Sequence, residues 1–150
     1  YAMTGWRLGY AMANADFIAA MNKIHQYTML CAPVTAQAAA LTALRECHED
    51  VRNMVAEYDQ RRKIMLEGFR SIGLQCFEPK GAFYIFPSIR ELGITSTDFA
   101  EKLLMTEKVA LVPGGAFGES GEGFLRCSYA SSMEKLQIAL ERIGRFVAGL

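Results

Sequence analysis

The sequence predicts an α/β chain with helices in its first half and short strands mainly in its second, and three observations carry this. A helical apolar stripe, Val51, Met54, Tyr58, Met65, Phe69 and Ile72, marks one long helix that Gly73 stops. Beyond Gly73 the texture changes to short apolar runs separated by turns. Two apolar runs, one at each end of the chain, each carry a single arginine, Arg7 and Arg126.

The elements follow in order. Trp6 to Ala13 reads as a buried strand with Arg7, Gly9 and Ala11 on one face and Trp6, Leu8 and Tyr10 on the other. Asn14 or Asp16 caps a helix with Phe17, Met21, Ile24 and Thr28 at helical spacing, and Pro33 breaks it. Thr35 opens an alanine-rich helix bearing Leu41 and Leu44, and the long helix runs from about Asp50 to about Ile72. Leu74 to Phe77 and Ala82 to Phe86 are strands flanking Pro79-Lys80-Gly81. Ser96 or Thr97 caps a helix carrying Phe99, Leu103 and Leu104. Val109 to Val112 is a short strand ended by Pro113-Gly114-Gly115, and Phe124 to Tyr129 is the last strand. Ser131 with Glu134 forms a capping box for a final helix bearing Leu136, Leu140, Ile143 and Val147. Residues 1–47, 48–72 and 73–150 thus read as an incomplete first body, a long joining helix and a compact α/β layer with helices on one side of its strands. Trp6, Leu8 and Tyr10 belong in a sheet whose other strands this chain lacks, and Tyr1 is not an initiator methionine, so the expectation is a piece of a larger protein.

Composition narrows the function. The 150 residues are 51% hydrophobic, enough for a real core. Lys plus Arg and Asp plus Glu balance at 16 each, which argues against nucleic acid or an acidic membrane surface as partner. No apolar run approaches the roughly 20 residues of a membrane-spanning helix. Cys31, Cys47, Cys76 and Cys127 lie far apart, the pattern of reduced thiols in a cytoplasmic protein, and His25 and His48 lack metal-ligand spacing.

The chemistry rests on the arginines. A guanidinium in an apolar strand needs an anion, supplied either by a remote carboxylate or by a ligand. Arg126 shares its strand face with Phe124 and Ser128, and neither arginine has an acidic neighbour on its face. Two such arginines near glycine-rich turns favour two anionic groups held in one cleft, because the planar fork grips carboxylate or phosphate at two points.

Four motifs in order then carry a resemblance. Tyr1-Ala2-Met3-Thr4-Gly5-Trp6-Arg7-Leu8-Gly9, Pro79-Lys80-Gly81-Ala82-Phe83-Tyr84, Val112-Pro113-Gly114 with Phe117-Gly118, and Phe124-Leu125-Arg126-Cys127-Ser128-Tyr129-Ala130 resemble the C-terminal portion of class I/II aminotransferases, which are fold type I pyridoxal-phosphate enzymes. The resemblance implies a short, mostly antiparallel sheet with helices on one side, joined by the interdomain helix to the tail of the large cofactor-binding domain. It implies that Arg7 grips the phosphate of pyridoxal 5'-phosphate and that Arg126 holds the α-carboxylate of an amino acid or 2-oxo acid substrate. Tyr84, on the hairpin at the cleft mouth, is a further candidate for substrate contact. The Tyr58 to Lys63 run resembles the tyrosine and paired arginines of the interdomain helix, its charges read as a solvated face.

The departures matter too. The family pattern places its Schiff-base lysine two positions before Tyr1, so no catalytic residue is assigned within the chain, and the chain by itself is expected to be inactive. The aspartate, asparagine and tyrosine that the family sets on the cofactor ring also lie upstream. Cys31 to Gln37 replaces a more polar asparagine-proline-serine stretch, and Gly115 stands where serine is frequent. For the full protein the resemblance implies a cytoplasmic homodimer transferring an amino group between an amino acid and a 2-oxo acid. A carbon–sulfur β-lyase on the same fold, which would keep both arginines, or an aminotransferase-like effector domain of a transcription regulator stands as the alternative.

Overall fold

A computed structural model describes residues 1–150, which form two compact units, residues 1–54 and 55–150. The elements are α1 (Ala15–Thr28), α2 (Val34–Glu46), α3 (His48–Ser71), β1 (Tyr84–Ile85), α4 (Ser96–Glu107), β2 (Val112–Pro113), β3 (Leu125–Ser128) and α5 (Met133–Ala148), with short 3-10 turns between them. No helix is long and apolar enough to cross a membrane.

Residues 1–54 are helical because of local signals. The Asn14 side chain accepts a 2.8 Å hydrogen bond from the Asp16 N–H, which caps α1. Helix α1 already ends at Thr28, where Leu30 turns left-handed, and Pro33 stands at the N-cap of α2, where its missing N–H leaves no helical bond unmade. Burial is slight: only Ala36 and Ala43 are fully covered, and the α1 stripe of Phe17, Met21 and Ile24 is exposed. The strand expected over Trp6 to Ala13 is not there. Thr4–Trp6 forms a 3-10 turn, Arg7 takes a left-handed conformation (φ 53°), and 8–14 is irregular. The reason is physical: a strand is held by a neighbouring ladder, and this unit contains no other strand to supply one.

Residues 55–150 hold the core. Helix α3 contributes Met65, Leu66 and Phe69, and it ends where Gly73 turns left-handed (φ 91°), with the Leu74 N–H donating to the Phe69 carbonyl at 3.0 Å. A three-stranded antiparallel sheet has the order β1-β3-β2, pairing Tyr84 with Ser128, Ile85 with Cys127, Val112 with Arg126 and Pro113 with Leu125. One face of it is core: Ile85, Leu125 and Cys127 are buried, while Tyr84 and Arg126 on the other face are half-buried and Ser128 is exposed. Helices α4 and α5 complete the core with Phe99, Leu103, Leu136, Leu140 and Ile143, and Phe99 meets Phe146 edge-to-face at 5.0 Å.

The expected strands are present but shorter. Leu74 to Phe77 contributes only a bridge from Cys76 to Pro87, and Ala82 to Phe86 narrows to Tyr84–Ile85. Ala82 is left-handed (φ 57°), and Pro87 and Pro113 lack the N–H that would extend their ladders. The caps shift by a residue: Thr95, not Ser96 or Thr97, accepts from Asp98 to open α4, and Ser132, not Ser131, accepts from Lys135 to open α5.

Candidate functional site

The central strand of the sheet puts Arg126 on the face turned away from the core, because residues alternate along β3 and Leu125 and Cys127 take the inner positions. Tyr84 stands opposite Ser128 on β1, two residues from Arg126 on the same face, and Phe117 comes from the 3-10 turn Gly114–Phe117 that follows β2. The guanidinium carbon of Arg126 lies 4.6 Å from the centre of the Tyr84 ring and 4.9 Å from that of Phe117. Phe86 adds an edge contact to Phe117 at 6.1 Å. None of the chain's ion pairs (Glu57, Asp59, Glu78 and Glu107 with arginines or lysine of α3 and α5) reaches Arg126. Its cation is therefore held by ring faces while its N–H donors keep no protein acceptor. The structure brings Tyr84 and Phe117 to the Arg126 guanidinium; the sequence names Phe117 only as part of a motif, although a ring beside a glycine turn next to an arginine strand is a signal that could have found this contact.

The turn carrying Phe117 is fixed by polar ties. The Gly114 N–H donates to the Phe124 carbonyl at 2.8 Å, and the Gly115 N–H donates to Ser96 Oγ at 3.3 Å. Ser96 is fully buried, and its N–H and hydroxyl both donate to the Glu122 carboxylate at 2.7 Å. These bonds hold the Glu122 carboxyl below its usual range. Gly114 and Gly121 approach so closely that a side chain at Gly114 would collide with the Gly121 carbonyl. On the other flank, Tyr129 Oη donates to the Ala82 carbonyl at 3.1 Å and the Tyr129 N–H to that of Phe83 at 2.9 Å, setting the approach to Tyr84.

Of the α3 charges, Lys63 lies on the solvated face the sequence suggested, and Arg61 and Arg62 do not. The side chains of Arg61 and Arg62 are only 15% and 17% exposed. Arg62 bridges Asp59 and Glu78, each at 2.7 Å, and so ties α3 to the segment that leads into the Pro79-Lys80-Gly81 turn. Arg61 pairs with Glu57 and lies over the Tyr58 ring at 5.2 Å. Lys63 first, then Arg62, holds the Asp59 carboxyl below its ordinary value. Periodicity showed the Asp59–Arg62 and Asp59–Lys63 spacings, but Glu78 lies beyond the helix and only the fold brings it in.

Arg7 belongs to the other unit and is exposed rather than buried, since no strand forms around it. Its guanidinium makes one hydrogen bond, from Nη1 to the Thr4 carbonyl at 3.3 Å, and its backbone N–H donates to the same oxygen. Arg7 shares its left-handed backbone (φ 53°) with Ala2, Leu30, Ala82 and Lys108.

With this geometry in view, comparison with known proteins gives a consistent result. Residues 1–143 match the aminotransferase class I and II family. YugH of Bacillus subtilis, which carries an aminotransferase name, is 56% identical over 98% of this chain and 38% of its own length. An aspartate aminotransferase of Pyrococcus abyssi is 47% identical over 95% of this chain and 37% of its own length. The solved structure of an aromatic aminotransferase from Pyrococcus horikoshii superposes with a TM-score of 0.94 at 45% identity, covering 99% of this chain and 40% of that one. The chain thus spans about two fifths of the length of the relatives it matches. An exposed-face arginine on the central strand of a small antiparallel sheet, the ordered motifs and the likeness over nearly every residue lead to one conclusion: this chain belongs to the aminotransferase class I and II family.

Proposed function

We propose that this chain forms the substrate-carboxylate side of an aminotransferase that moves an amino group between an amino acid and a 2-oxo acid, with Arg126 as the carboxylate anchor. The observation that carries the reading is the Arg126 guanidinium, half-buried on the central strand, flanked by two rings and left without any acceptor from the chain. A two-point grip orients a substrate by its α-carboxylate whatever its side chain, which suits an enzyme that must accept an amino acid and its 2-oxo acid in turn.

Arg7 takes the phosphate of pyridoxal 5'-phosphate in this reading. Its exposed guanidinium, with a single weak backbone contact, has free donors of the kind a phosphate accepts. When bound, that cofactor supplies the electron sink for amino-group transfer. The reading extends to a homodimer in the cytoplasm: the four cysteines are free thiols, as a reducing compartment keeps them, and the large apolar side chains exposed in residues 1–54 suit cover by further polypeptide.

The test is made in the full-length enzyme with L-aspartate and L-phenylalanine as amino donors and 2-oxoglutarate as acceptor. Arg126→Ala is expected to raise KM for donor and acceptor alike and to lower kcat/KM by roughly 30- to several-thousand-fold, the effect of leaving a charge without its partner at about 2–5 kcal/mol. The variant should keep its cofactor through dialysis, and Arg126→Lys should recover only part of the loss. Arg7→Ala should do the reverse, losing cofactor on dialysis with substrate KM little changed once it is resupplied. Cofactor loss from Arg126→Ala with normal substrate binding would overturn the assignment.

A further inference from the structure

We propose that Tyr84 and Phe117 are positioning residues for Arg126: their rings hold the guanidinium in place through its π-face and so leave its N–H edge preset for a carboxylate. The inference rests on the reading of Arg126 as the carboxylate anchor and adds what aims it.

An arginine side chain is long and flexible, and in most proteins a carboxylate fixes its head. Here no carboxylate does so, yet the guanidinium carbon lies within 5 Å of two ring centres, inside the range over which a cation is attracted to an aromatic face. Ring contact consumes none of the N–H donors, whereas a fixed acidic partner would occupy them and compete with the substrate. The arrangement therefore restrains the anchor without satisfying it, and the ordering of the side chain is complete before substrate arrives.

The two rings come from separate parts of the chain, and each is fixed independently. Tyr84 lies in the ladder opposite Ser128, and its neighbour Phe83 packs on it at 4.5 Å while accepting the Tyr129 N–H through its carbonyl. Phe117 sits on the turn locked by the Gly114–Phe124 hydrogen bond and by the Ser96–Glu122 pair behind Gly115. Phe117 is 50% exposed. The ring lies outside the core and meets Phe86 edge-on and Arg126 with its face.

The experiment measures KM and kcat in the full-length enzyme with L-aspartate, L-phenylalanine and 2-oxoglutarate as probes. Phe117→Leu keeps apolar bulk and removes the ring; it is expected to raise KM for all three by about 3- to 30-fold, the range for losing one cation–ring contact, and more than it lowers kcat. Phe117→Tyr restores the ring face and should recover most of the loss. Tyr84→Leu should behave like Phe117→Leu, and Tyr84→Phe should also recover, because the proposal uses the ring and not the hydroxyl. Phe117 lies outside the core of this chain, so its variants report even if Tyr84→Leu fails to fold. Should Phe117→Leu leave every KM unchanged while Arg126→Ala raises them, the rings do not aim the anchor and the inference falls. Equal loss in Phe117→Leu and Phe117→Tyr would overturn it as well. If Arg126→Ala itself leaves KM unchanged, the reading of Arg126 falls first.

Discussion

Residues 1–54 and 55–150 are built from the same kinds of local signal but bury very different amounts of side chain. Phe17 in α1 is 68% exposed and Phe69 in α3 is fully buried, although each sits on an apolar stripe at helical spacing. In the first unit, an Asn14 cap, Pro33 and alanine-rich sequence suffice to make two helices, yet only Ala36 and Ala43 are covered. In the second, Met65, Phe69, Phe99, Leu125 and Ile143 close around one another from four different elements. Helix formation is a local matter, whereas a core needs partners distant in sequence. An amphipathic stripe states that a face requires cover and is silent about what covers it.

The largest contrast between the units should appear at their cysteines, two in each. Cys31 is exposed and Cys47 half-buried, while burial pushes the Cys76 thiol up to about 11 and the Cys127 thiol to about 12. The thiolate is the reactive form, so Cys127 carries about a thousand-fold less of it than an ordinary thiol of pKa 9.0 at the same pH. Titration of the native chain with a disulfide reagent at about pH 8 is expected to modify Cys31 rapidly and Cys127 far more slowly, because the Cys127 thiolate is scarce and its sulfur is buried. Addition of denaturant should bring all four to one rate. A single fast phase for all four native thiols would mean that the second unit is no better closed than the first.

What was legible in the sequence follows the same division. All five helices were visible, because stripes, capping residues, Pro33 at the start of α2 and the Gly73 stop are short-range features. The strand face of Arg126 was also visible, since alternation in Phe124 to Tyr129 is local and β3 indeed forms there. The strand at Trp6 was misread because alternation alone cannot say whether a neighbouring ladder exists. The Arg62–Glu78 tie and the Ser96–Glu122 cap lay out of reach for a related reason: residues 16 and 26 positions apart meet only once the chain has folded. Phe117 on Arg126 belongs with these. Arg126 could be read from β3, but the rings that flank it come from β1 and from the turn after β2.

A smaller contrast is expected at glycine. Added bulk at Gly114 would strike the backbone carbonyls of Gly121 and Phe124, which cannot rotate aside, whereas at Gly5 a Cβ meets nothing within 4 Å. Gly114→Ala should therefore destabilise by about 1–3 kcal/mol or more, and Gly5→Ala should be neutral or gain about 0.4–1 kcal/mol through a stiffer unfolded chain. Chemical denaturation of both variants checks this. Similar midpoints for the two would show that the 114–121 turn gives way more easily than its close approach implies.

The smallest effect concerns how the two units hold the first-turn N–H groups of a helix, where in α4 Glu122 adds to the Thr95 cap. In α1 the Asp16 N–H is held by Asn14, an amide that does not titrate, while in α4 the Ser96 N–H is held by the Glu122 carboxylate. Hydrogen bonds from the Ser96 hydroxyl and N–H keep Glu122 below its ordinary value of 4.5 in the folded chain. A carboxyl whose folded pKa is depressed contributes stability that is fully present above the unfolded value and is lost as pH falls through the folded one. Amide-exchange protection at Ser96 should accordingly decline as the solution is acidified from neutrality to below that folded value, after correction for intrinsic exchange, while protection at Asp16 should not follow it. Glu122→Gln keeps one acceptor but removes the charge, so it should lower Ser96 protection at neutral pH and abolish its acid dependence. Because Ser96 Oγ also receives the Gly115 N–H, the same loss should reach the turn that carries Phe117, and amide signals of 115–118 should broaden or shift over the same pH range. Parallel pH curves for Ser96 and Asp16 would remove the distinction between the two caps.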